Sequence, residues 1–144
     1  MTPLQWVSNK DMREIKFRYR HKSTTSDYIA VDIVTLEELY RGEYMSGLRE
    51  TAHWEFLSRD EFTGLHDKNG KEIYEGDILR NCSCTCGREN CVHFDGELLY
   101  VVAWTRDTGF SPFNNGYESD NYKSSKNKVI IGNIYENPEL LTIL

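Results

Sequence analysis

Residues 62–80 read FTGLHDKNGKEIYEGDILR, and they carry two turn signals a few residues apart. Asp67-Lys68-Asn69-Gly70 is the first. Asn-Gly favours positive-φ turns, because Gly has no Cβ and Asn tolerates the left-handed region. Glu75-Gly76-Asp77 is the second, and its two acids are placed to accept hydrogen bonds from backbone N–H groups of the turn. Between the turns, Lys71–Tyr74 is a short extended piece, and Ile78-Leu79 enters a new strand. The chain therefore has to fold around a compact hairpin or barrel corner at this point.

The flanking segments are β-type. Arg13–Arg20 alternates, with Ile15, Phe17 and Tyr19 on one face and Lys16, Arg18 and Arg20 on the other. A period of two predicts a half-buried strand. Tyr28–Val34 alternates again and is expected to pair with it. Thr35 is placed to cap a short helix near 35–42, with Glu37 and Glu38 in the first turn. Leu36, Leu39 and Tyr40 would form its apolar face, and Gly42 or Gly47 its end. Thr51–Phe56 is a further strand, with Trp54 and Phe56 on one side. Leu98–Thr105, Phe110–Asn114 and Lys128–Ile134 follow, the first two joined by a turn at Asp107-Thr108-Gly109. Asn115–Lys128 reads as a polar surface loop. Asn137-Pro138 stops the last strand, leaving a short helical or extended tail.

At 144 residues the chain can hold one domain or two small lobes sharing a core. The expected class is mostly β (α+β). The N-terminal lobe, 1–61, has strands near 13–20, 28–34 and 52–57 and the short helix. The C-terminal lobe, 62–144, is a twisted sheet or SH3-like barrel with a Cys-rich insertion at 82–93.

All 4 cysteines lie in that insertion. Cys82, Cys84, Cys86, Cys91 and His93 form C-x-C-x-C-x4-C-x-H, five candidate ligands for a structural zinc ion, with Gly87 as a turn. The start is not the usual C-x2-C knuckle, and a straight strand would spread Cys82, Cys84 and Cys86 too far for one ion. A hairpin tip with free thiols, or a Cys86–Cys91 disulfide, are the other readings.

The central stretch resembles the signature of the YopX family, small proteins encoded in bacteriophage and prophage genomes. Val129–Leu141 is similar to that family's closing motif and Arg13–Arg18 to its opening strand. The resemblance implies a mostly-β fold in two lobes and a phage origin. The family has no established activity, so it supplies no catalytic residues, and the Cys-rich insertion departs from its pattern.

A net charge of −6 disfavours non-specific nucleic-acid binding. The row Lys16, Arg18 and Arg20 either meets phosphate or is a solvated strand face, at an edge where charge blocks aggregation; the acidic balance favours the second. No apolar run approaches the ~20 residues of a membrane span, and the N-terminus lacks a signal-peptide pattern. No G-x-S-x-G, P-loop or Rossmann fingerprint occurs. An enzyme would have to rest on His66, Glu75 and Asp77, with His66 or Glu89 as general base. The expectation is a non-enzymatic phage accessory protein in the host cytoplasm. It would bind a host or phage protein, or self-associate, through aromatics and short edge strands. The alternative is a nucleic-acid-binding β module using Lys16, Arg18, Tyr19, Arg20 and Trp104.

Overall fold

The computed structural model describes residues 14–44, 53–85, 93–106, 109–113 and 125–143. The lead-in at 1–12, Gly47, the turn at 107–108, Cys86, Gly87, Glu89, Cys91 and most of the 115–128 loop lie outside those residues.

The two alternating segments pair as their periodicity predicts. Strand β1 (Lys16–Ser23) runs antiparallel to β2 (Ile29–Thr35), from Lys16 opposite Thr35 to Lys22 opposite Ile29. On its other side β1 pairs with β3 (Trp54–His66), and β3 pairs in turn with β4 (Glu72–Tyr74). The order β2-β1-β3-β4 makes β1 an interior strand. The expectation of an edge strand is thus corrected, because both hydrogen-bonding edges of β1 are taken up by neighbouring strands.

Strand β3 is longer than the sequence suggests. Its first half pairs with β1 and its second with β4, so a boundary at 61/62 falls inside it. The register slips between Arg20 and His21 and leaves Leu57 without an opposite residue. Such a bulge increases the local twist, which lets one strand serve two neighbours at different angles.

Thr35 caps α1 (Leu36–Tyr40). Its hydroxyl accepts from the Glu38 N–H at 3.1 Å, and the Glu38 carboxylate accepts from the Thr35 N–H at 3.1 Å, a reciprocal capping box. The expected apolar face is not buried: Tyr40 is 91% exposed and no residue of the helix is buried. Five residues are little more than one turn, too few to lay a stripe across a neighbour.

In the C-terminal part, β5 (Asp77–Asn81) lies between β6 (Leu99–Val101) and β9 (Lys128–Asn133). Strands β7 (Ala103–Thr105) and β8 (Gly109–Ser111) form a separate hairpin. The strand expected over 98–105 breaks at Val102. There the backbone turns to bond the turn before β5, with Val102 N–H donating to the Asp77 carbonyl and Gly76 N–H to the Val102 carbonyl. That break, and strands of three residues, leave the sheets of the described residues open, so the SH3-like barrel is not formed.

Ile73, Leu79, Val102, Phe110 and Phe113 form the main core, and Cys82 and Val129 a smaller one. The 62–80 stretch ties the parts together. Asp67 accepts from the N–H groups of Asn69 and Lys71 through one oxygen and from Ile130 of β9 through the other. Gly76 sits at φ +85, a conformation a side chain rarely adopts, with its carbonyl accepting from Ile134. A 3-10 helix, Pro138–Ile143, closes the chain. Among the described residues no helix is long and apolar enough to cross a membrane.

Candidate functional site

The basic row of β1 turns inward. Arg18 donates from Nε to Asp60 at 3.1 Å, and from Nη2 to Asp77 at 2.8 Å and to the Glu75 carbonyl at 3.3 Å. Arg20 donates from Nη1 to the same Asp60 oxygen. Lys16 pairs with Glu72 and with Glu14. The guanidinium of Arg18 lies over the Tyr74 ring and that of Arg20 over Tyr135. The row expected in solvent or on phosphate is instead a set of ion pairs where β1 meets the C-terminal turns. Alternation revealed two faces of β1 but not that the charged one would be covered.

The electrostatics of this cluster are uneven. Burial pushes the Asp77 carboxyl up, and the guanidinium of Arg18 only partly opposes it. Burial also pulls Arg20 down, with the like charge of Arg18 adding to it. Asp77 further accepts from the Tyr74 N–H at 2.8 Å, and Glu75 from the Glu61 N–H at 3.1 Å. Asp77 thus bonds the backbone locally, as read from the sequence, whereas Glu75 reaches across to β3. His66 is exposed and its ring meets that of Phe62 edge-on, and Glu89 lies outside the described residues.

The remaining nucleic-acid candidates do not join the row. Tyr19 alternates onto the other face of β1, where its ring lies 4.9 Å from that of Tyr44. Trp104, 57% exposed, is on the β7–β8 hairpin.

The two described cysteines of the insertion share one small core and one lysine, Lys68, which also donates to the Cys84 carbonyl, but they differ in burial. Cys82 follows β5 directly and is fully buried beside Val129, with the Lys68 ammonium 3.3 Å from its sulfur. Cys84 lies further out, its sulfur 3.5 Å from His93 Nδ1. Among the described residues no group of three or more candidate ligands converges. Cys86 and Cys91 lie outside them.

A third feature is an aromatic face on the N-terminal sheet. Trp54 and Phe56 are two apart on β3 and so share a side. Phe56 meets His21 edge-on at 5.7 Å, and Tyr28 meets Trp54 edge-on at 6.1 Å. Tyr28 is 63% and Phe56 51% exposed. The shared side of Trp54 and Phe56 is legible in the sequence. The arrival of Tyr28 is not, since it depends on the tight return between β1 and β2.

The comparison with family models agrees with the sequence resemblance. The family model described as YopX protein matches residues 7–142. No curated protein matches. A solved structure, the crystal structure of protein EF1440 from Enterococcus faecalis, is 19% identical. Its TM-score is 0.45, and the match covers 87% of this chain and 97% of that one.

Proposed function

The chain belongs to the YopX family, and we propose that it is a non-enzymatic, phage-encoded accessory protein that binds a host or phage protein in the host cytoplasm. The observation that carries this reading is the Tyr28–Trp54–Phe56 face, where two large aromatics leave more than half their surface in water. Burying such rings is a strong source of interface free energy, and aromatics are enriched in interface cores. The experiment compares wild-type protein with a Tyr28→Ser/Phe56→Ser variant as bait in host extract. The wild type retains a partner protein that the variant loses, while the two unfold alike. Equal retention by both would remove this face from the account.

The nucleic-acid alternative draws no support from Lys16, Arg18 and Arg20, whose charges are met by carboxylates inside the protein.

A structural zinc ion in the cysteine loop is the cofactor reading with support. A tetrahedral zinc with Zn–S about 2.3 Å and Zn–N about 2.0–2.1 Å has an S···N edge of about 3.5 Å. Cys84 and His93 stand at that separation. Cys82 is fully buried, with its sulfur already engaged by Lys68, and is set aside from the ligand set on that ground. Of the five candidates read from the sequence, Cys84, Cys86, Cys91 and His93 then remain, the four that a closed structural site requires.

A further inference from the structure

Arg20 is a buried charge whose hydrogen-bonding capacity is incompletely met. It is 1% exposed, and its Nη1 donates to an Asp60 oxygen that also receives Arg18. Its Nε has no hydrogen-bond partner. The Glu136 carboxylate stands 4.0 Å from that Nε, beyond hydrogen-bonding distance. A buried guanidinium with one shared counter-ion retains a large desolvation cost, which a further anion would offset.

Arg20 lies in the wall of a cleft of about 430 Å³ between β1 and β9, within the range of small-ligand sites. Val31, Ile130 and Ile131 supply apolar walls, and Arg18, already paired with Asp60 and Asp77, and Lys71 are the other cations. Glu136 also lines the cleft on its outer side, its side chain 40% exposed and held by the Asn133 amide at 2.7 Å, a hydrogen bond that an incoming anion has to displace. Glu72 and Asp77 line it too, and they count against a dianion such as phosphate.

We propose that this cleft binds a small aliphatic monocarboxylate, which displaces the Glu136 side chain and accepts from the Nε edge of Arg20. One charge fits what Arg20 lacks, the apolar walls fit a short branched body, and Lys71 draws the anion in. The assignment is independent of the aromatic face.

The test uses the full chain and three probes: isovalerate, its neutral isostere isovaleramide, and inorganic phosphate. Ligand-observed NMR and thermal shift read binding. Isovalerate binds, and the other two do not. Glu136→Gln retains an acceptor for Asn133 Nδ2, which now bonds Glu136 at 2.7 Å, while removing the competing charge. It tightens isovalerate by about threefold or more, and Lys71→Glu loosens it by a similar factor. Neither variant touches Asp60, so both are expected to fold. Equal binding of isovalerate and isovaleramide, stronger binding of phosphate, or no isovalerate binding to the Glu136→Gln variant would each overturn the proposal.

Discussion

Asp60 is the group on which the charged cluster depends, and Asp60→Asn is the substitution that measures it. Its side chain is buried, and one of its oxygens accepts from both Arg18 and Arg20. Asparagine keeps the shape, and its amide oxygen can still accept from both guanidiniums, but the negative charge they share is gone. Arg18 keeps Asp77, at 2.8 Å. Arg20 is left in the interior with no carboxylate closer than Glu136 at 4.0 Å. Breaking a buried pair from one side costs about 3–5 kcal/mol, because the surviving charge stays buried. Set against a typical stability of about 5–15 kcal/mol, that is a large fraction. For a chain of this size it corresponds to a drop in Tm of roughly 10 °C. Urea unfolding followed by tryptophan fluorescence gives the free energy directly. Glu37→Gln is the control, since it breaks only the exposed Glu37–Arg41 pair, worth about 0.5 kcal/mol or less. A loss below about 1 kcal/mol for Asp60→Asn would refute the view that this cluster is a buried, mutually dependent set.

Other consequences are as direct. Protein purified without a His tag under reducing conditions carries about one zinc per chain. Cys84→Ser abolishes it and Cys82→Ser leaves it; retention by Cys84→Ser would exclude the ligand set. Gly132→Ala places a methyl 2.5 Å from Asn137 Oδ1, which now accepts from the Asn133 N–H, so the 133–137 turn has to shift. The expected loss is about 1–3 kcal/mol by thermal unfolding, and an unchanged Tm would show the turn to be soft. Fluorescence anisotropy with single-stranded DNA shows no salt-dependent binding. A steep salt slope abolished by Lys16→Glu would restore the basic row as a phosphate-facing surface.

Much of the backbone was legible because local chemistry dictated it. The β1–β2 pairing followed from two alternating runs, the helix start from Thr35 with acids in the first turn, and the central turns from Asn-Gly and Glu-Gly-Asp. What remained hidden depended on layers, not periods. Alternation assigned Lys16, Arg18 and Arg20 to one face, but only the tertiary arrangement brings Asp60 and Asp77 onto it. The available signal was the match between three cations in a row and acids at two later strands. Likewise Cys82, Cys84 and Cys86 looked equivalent by spacing. Of the two that are described, Cys82 is fully buried at the end of β5 while Cys84 is only partly buried against the same core, a difference that spacing does not carry. The helix shows the opposite error: Leu36, Leu39 and Tyr40 had the right spacing for a buried stripe and too short an element to bury it.

The most direct test of the proposed binding face is site-specific photocrosslinking in host cells expressing the protein. Phe56→benzoylphenylalanine places the probe on the aromatic face, and Glu139→benzoylphenylalanine places it on the exposed C-terminal 3-10 helix as the comparison. The account predicts a discrete protein adduct from position 56 and none from position 139. Equal adducts from both positions, none from 56, or an adduct to nucleic acid would contradict it.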